Sequence, residues 1–208
     1  MRGPIEDFIA ALTRQHNTAT VANPYRDPRL AGNLQRYLQA MNNMTGKRIL
    51  LVGEAPGYKG CKLTGIPFSS GKIFQQFNHP LLKQLAAQIS LDTVESENTA
   101  TMVWEYLSRK RTTPLFWNAF PFHPHLPGNP RSNRAPTAAE IAAGISHLQR
   151  LHDFYQPDFI AGIGAKGVCS AETAFPQEAV MAIRHPSYGG KADFIAGMNK
   201  LMRKKRTP

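Results

Sequence analysis

The chain has 208 residues, which suits one ordinary domain or two small ones at about 150 residues per domain. Hydrophobic residues make up 42% and charged residues 19%, a balance that fits a folded core and excludes wholesale disorder. Lys and Arg total 25 against 14 Asp and Glu, and the resulting formal charge of +11 favours polyanionic partners.

No apolar run approaches the roughly 18 to 20 residues of a membrane span, so no membrane partner is expected. The N-terminal MRGPIEDFIAALTRQ carries acids inside its apolar stretch and lacks a small-residue cleavage site, so it does not read as a signal peptide. Cys61 and Cys169 are too few for a disulfide framework or a four-cysteine metal site. A cytoplasmic monomer is the expectation. The basic residues are dispersed (Lys47 and Arg48, Arg109 to Arg111, Arg131 and Arg134), with a further cluster in a basic tail at about 203–208. That distribution points to nucleic acid.

In chain order, Asp27-Pro28 starts a helix with Leu30, Leu34, Tyr37, Leu38 and Met41 on one stripe, closed by Gly46. Arg48 to Val52 is short, apolar and followed by Gly, as a strand buried on both faces should be. Ile73 to Ile89 has a helical pattern that must break or restart at Pro80. A second strand is expected over Pro114 to Ala119. Thr137 and Glu140 form a capping box ahead of Ile141, Ile145, Leu148 and Tyr155. A third strand follows at Asp158 to Gly162, and a fourth at Ala179 to Ile183. Phe194, Ile195, Met198, Leu201 and Met202 stripe the last helix. Helices alternating with short strands predict one α/β domain, a three-layer α/β/α sandwich with a mainly parallel four-stranded sheet.

Ligands of such sheets bind beyond the carboxyl ends of the strands. That rule selects four loops: Gly53 to Ser70, Phe120 to Thr137, Gly162 to Gly167, and Arg184 to Lys191. The first reads GEAPGYKGCKLTGIPF and lets a ligand approach its main chain closely. The second follows Asn118 in WNAFPFHP; an Asn at a strand end presents both a donor and an acceptor, which suits reading a base edge. The fourth, RHPSYGG, sets a His of restricted backbone freedom directly after a buried strand.

Together these segments resemble the uracil-DNA glycosylase superfamily. GEAPG is similar to its first motif, GIPF to the aromatic that follows it, WNAFPF to its strand-end Asn, and RHPSYGG to its His-Pro-Ser motif. The resemblance covers about two-thirds of the chain, Gly53 to Gly190. Within the superfamily it is greatest to the bacterial and archaeal group with GE(A/G)PG and a downstream NRxP, here Asn133-Arg134-Ala135-Pro136. The chain departs from that group in lacking its four iron–sulfur cysteines, so no cofactor is expected. It also has Tyr58, Lys59 and Gly60 where the group tends to be acidic. Other branches place a water-activating Asp or Asn at the third motif position, here Ala55. The uracil-only branch excludes thymine with a Tyr at the fifth position, here Gly57.

The resemblance implies hydrolysis of the bond between a damaged base and deoxyribose, after the base has rotated out of the DNA. His185 would donate to the pyrimidine O2 as charge grows there, and Asn118 would read the O4 and N3–H edge of uracil. Phe68 would stack on the base, and the backbone around Ala55, Pro56 and Gly57 would contact base or water. Glu54, the sole carboxylate of the first loop, would orient water, stabilise the cationic sugar, or fix loop amides. Ser187, Tyr188 and Gly189 would enter the minor groove, with Tyr188 as a wedge. Arg134 and Lys166 would contact DNA.

Two patterns are read as decoys. Gly162-Ile163-Gly164-Ala165-Lys166-Gly167 fits a dinucleotide fingerprint but follows the third strand, and a helix N-terminus with Lys166 on a DNA phosphate suits it better. His123 and His125 lack further ligands, so no metal is expected. The expected activity is that of a monofunctional glycosylase on a deaminated base, uracil foremost, in single or double strands. Hypoxanthine, xanthine or mismatched thymine specificity is the enzymatic alternative, and a catalytically lapsed DNA-binding protein is the other.

Overall fold

Residues 3–205 are described by a computed structural model. Helix α1 (Pro4–Thr13) starts on a proline and buries Ile5, Phe8, Ile9 and Leu12 along one stripe. Strand β1 (Val21–Ala22) and a 3₁₀ turn at Pro24–Arg26 lead to α2 (Pro28–Asn42), where the Asp27 carboxylate accepts from the Arg29 N–H. Strand β2 (Ile49–Gly53) is buried at every position. Four helices follow: α3 (Cys61–Thr64), α4 (Ile73–Gln76), α5 (Pro80–Ala86) and α6 (Asn98–Leu107). The remaining elements are β3 (Leu115–Asn118), β4 (His123–Pro124), α7 (Ala138–Tyr155), β5 (Phe159–Ile163), α8 (Gly164–Ala174), β6 (Val180–Ile183) and α9 (Lys191–Arg203).

The main sheet is fully parallel with strand order β3-β2-β5-β6. Its two faces are told apart by adjacent residues of β3. Trp117 packs edge-on to Phe8 of α1, which also meets His147 of α7. Phe116 instead faces Phe68 and Trp104 of α6. Period-two alternation thus sends successive side chains into opposite layers, and the three-layer α/β/α expectation holds. The outer edge of β3 is closed by Tyr37, whose hydroxyl accepts from the Phe116 N–H at 2.7 Å. β1 and β4 pair antiparallel and tie the N-terminal segment to the loop after β3.

All four expected strands form, each within one residue of its expected bounds at either end. The expected capping box forms at Thr137 and Glu140. The helical stretch before Pro80 breaks as expected, and His79 caps the restarted helix by accepting from the Leu81 N–H. One boundary is corrected: α2 stops at Asn42, and Gly46 lies four residues further on at φ +96°. The glycines of 162–167 have a packing explanation. A Cβ at Gly167 would stand 2.3 Å from the Val52 carbonyl oxygen, so glycine lets α8 settle against β2.

Burial holds the imidazoles of His79, His123 and His147 below the usual imidazole range. Groups depressed in this way bind fewer protons folded than unfolded once pH falls below about 6.5, so stability is full above that value and declines beneath it. Thermal melting at pH 7 and pH 5 should therefore show a lower midpoint at pH 5. An unchanged or higher midpoint would contradict the assignment.

Candidate active site

β2 and β5 are neighbours whose onward connections run to opposite sides of the sheet, which makes their carboxyl ends the switch point. Loops from the ends of β2, β3 and β6 meet there around a cavity of about 540 Å³. Its lining includes Glu54 to Gly57, Phe68, Asn118, His185, Ser187 and Tyr188. Cavities of this size accept a small organic ligand.

Phe68 forms one wall. Its ring lies over Gly53, where a Cβ would come within 2.4 Å of Cε2 and Cζ. It also packs against Phe116, at 4.9 Å between ring centroids. The Phe68 carbonyl accepts from Trp104 Nε1–H at 2.9 Å, and its backbone holds φ +54°, unusual for a bulky residue. The ring is thereby fixed as a flat platform.

Asn118 ends β3 directly opposite Gly53. The residue is 3% exposed, and its side-chain amide lines the cavity without a protein hydrogen bond among the described residues. The amide is a donor and acceptor pair held ready for a ligand.

His185 follows β6, and its Nδ1 accepts from the Ser187 N–H at 3.2 Å. In the neutral ring the proton is therefore on Nε2, which acts as a donor. Burial lowers the His185 pKa, opposed by the carboxylates of Glu97 and Glu54, so the ring is neutral at neutral pH.

Glu54 sits half-exposed at the mouth. Lys166 donates to its Oε1 at 3.2 Å and to the Pro136 carbonyl at 3.1 Å, which leaves Oε2 without a partner among the described residues. The Pro56 carbonyl accepts from buried His123 Nδ1 at 2.7 Å, and the Tyr58 N–H donates to Asn133 Oδ1, so the first loop is braced from behind. Ala55 packs partly against the core. A Cβ at Gly57 would find only Asn133 Oδ1 near it, at 4.0 Å, so the cavity is open at this position.

The expected DNA-contacting residues divide. Tyr188 is 97% exposed at φ +54°, beside exposed Gly189 at φ +77°, while the Ser187 hydroxyl meets that of Thr99 on α6. Lys166 is engaged at the switch point and keeps one N–H. Arg134 lines the cavity, and its donors are engaged by both Glu140 oxygens and by the carbonyls of His125, Ala135 and Thr20. The first turn of α6 was not foreseen in the site. Glu97 caps it, accepting from the N–H groups of Thr99 and Ala100, and with Asn98 and Thr99 lines the cavity. The spacing of Ala100, Val103, Trp104 and Leu107 was the available signal.

A model of the uracil DNA glycosylase superfamily matches residues 42–202, and the chain belongs to that superfamily. The class of protein is that of a DNA glycosylase. Among solved structures, the chain is similar to wild-type Pedobacter heparinus SMUG2, with a TM-score of 0.68, 14% identity, and coverage of 98% of this chain and 100% of that one. No curated protein matches significantly. The iron–sulfur cluster of the related branch does not fit these residues: Cys61 is buried against the Tyr25 hydroxyl, Cys169 is exposed on α8, and no other cysteine exists.

His185→Ala should slow single-turnover base excision by roughly 10²- to 10³-fold, the typical effect of losing one donor to a developing oxyanion. Because the ring is held neutral, the wild-type rate should stay flat down to about pH 6.5 and change only below it. A rate unaffected by the substitution would remove His185 from the chemistry.

Proposed function

We propose that the chain hydrolyses the N-glycosidic bond of uracil rotated out of DNA, without cleaving the strand. The observation that carries this reading is the Asn118 amide, without a protein hydrogen bond among the described residues, lining one cavity with the Phe68 ring and His185. Asn118 Nδ2 donates to uracil O4, and Oδ1 accepts from N3–H. Phe68 stacks on the ring, a contact worth about 1–3 kcal/mol. Cytosine presents the reverse pattern at that edge and leaves the amide unpaired, which is how polar sites reject strongly.

In the reaction the C1′–N1 bond breaks with its electron pair on the base, and the charge spreads to O2. His185 Nε2–H stabilises that charge, and water adds to C1′. Glu54 carries the role left open by Ala55: its Oε2 faces the positive sugar, orients the water and accepts its proton as the oxygen bonds to C1′, releasing that proton to solvent afterwards. Lys166 holds the carboxylate through Oε1 and offers its remaining N–H to a DNA phosphate. Tyr188 and its flanking residues occupy the space vacated by the base. No lysine serves as a Schiff-base nucleophile, so borohydride should trap no covalent adduct.

Oligonucleotides that each carry one modified base, assayed for alkali-labile sites, test the reading. Uracil should be excised and strands should stay whole without alkali. Excision of hypoxanthine, xanthine or mismatched thymine but not uracil would replace the substrate; excision of none would make the chain a lapsed DNA binder. Asn118→Asp should lower uracil excision and permit some at cytosine, because an ionised carboxylate supplies acceptors only. Glu54→Gln should slow the wild-type rate by roughly 10²-fold, the low end for a positioned acid or base. Retention of full activity by that variant would assign Glu54 to the loop's architecture.

A further inference from the structure

The strands are parallel, so their N-terminal ends mark a pole opposite the cavity. A cluster of cations is assembled there from segments distant in sequence. Lys47, just before β2, donates from Nζ to the Met202 carbonyl near the end of α9 at 2.7 Å. The amines of Lys47 and Lys204 both stand over the Phe159 ring, at 5.5 and 5.4 Å from its centroid. Lys47 also shares a cleft of about 200 Å³ with Arg111, which precedes β3. Lys110 donates to Asn199 of α9 and stands over Tyr106, whose hydroxyl also feels the charge of Arg203. None of these five cations is in an ion pair among the described residues. The C-termini of α6 and α9 add the negative ends of two helix dipoles, which favour cations here.

We propose that this pole is a second DNA-binding surface, which holds a duplex segment other than the one whose base enters the cavity. Only the role of the first segment rests on the function proposed above. An excess of cations without apolar anchors selects the partner; Asp158 at the same end of the sheet accepts from the Arg48 N–H. The large hydrophobic side chains exposed among the described residues are Val94, Leu126 and Tyr188, and none belongs to this pole. A bilayer or a protein interface needs apolar anchors beside the charge, whereas a phosphate backbone needs the charge alone. Two binding faces let one molecule contact neighbouring DNA segments at once, so it can pass between them without returning to solution.

The test uses the full chain and undamaged duplexes of about 12 base pairs, which are too short and stiff to wrap from one pole to the other. At low salt, sedimentation should find one protein with two duplexes, and donor- and acceptor-labelled duplexes should show energy transfer. Arg111→Glu with Arg203→Glu should reduce the count to one duplex while single-turnover excision at saturating enzyme is unchanged. Should that pair fail to fold on melting, Arg111→Gln with Arg203→Gln should still weaken the second binding step. Its log–log salt slope should then be less steep by roughly 0.9 per lost cation. A wild type that takes one duplex, or a folded variant that still takes two with wild-type affinity, would overturn the proposal. Tighter binding of poly-glutamate or anionic vesicles than of duplex at this pole would also overturn it. If no modified base is excised, the catalytic reading fails, and the duplex count still decides this one.

Discussion

Strands β2 and β3 end in register at Gly53 and Asn118, and position 53 has no Cβ. That bare backbone is what allows the Phe68 ring to lie over the end of β2, where any larger residue would collide with it. The ring also packs against Phe116, and it lines the same cavity as the Asn118 amide. The β6 loop adds His185, whose tautomer is set by one backbone bond from Ser187. Each recognition element therefore depends on short main-chain geometry at the sheet's carboxyl end. Little of it rests on flexible side chains, which is the preorganisation that the proposed departing anion requires.

Charge is arranged at two scales. Near the cavity the chain places the carboxylates of Glu54 and Glu97, although its formal charge is +11. Both oppose the effect of burial on His185, yet the imidazole remains below its usual range. Carboxylates at the mouth suit a sugar that becomes cationic, and a neutral imidazole donor suits a base that becomes anionic. At the scale of the whole molecule, cations from three separate segments gather at the far pole, leaving the chemistry to local dipoles and single charges.

Much of this was legible in the residues, for physical reasons that differ by element. The four strands stood out because apolar runs ending in Gly or Pro are short and buried on both faces. Asn118, Phe68 and His185, each at a strand end or in a loop that the parallel-sheet rule selects, come together at one cavity. Helix α1 was missed although Pro4, Ile5, Phe8, Ile9 and Leu12 carry the signal, and α6 was missed although Ala100, Val103, Trp104 and Leu107 do. Missing α6 hid Glu97 and Thr99, because a helix N-terminus can reach the site only through tertiary packing. The parts of Arg134 and Lys166 were illegible for a related reason. A cation in a loop looks the same in sequence whether its partner is a phosphate or Glu140.

The central claim is that the unpartnered Asn118 amide selects the base, and binding without chemistry tests it most directly. Duplexes that carry a non-cleavable 2′-fluorinated uridine or cytidine would be titrated against the wild type and Asn118→Ala. The account predicts tighter binding of the uridine duplex by the wild type, and loss of that preference in the variant while affinity for undamaged DNA is retained. A preference for uridine that survives Asn118→Ala undiminished would contradict it.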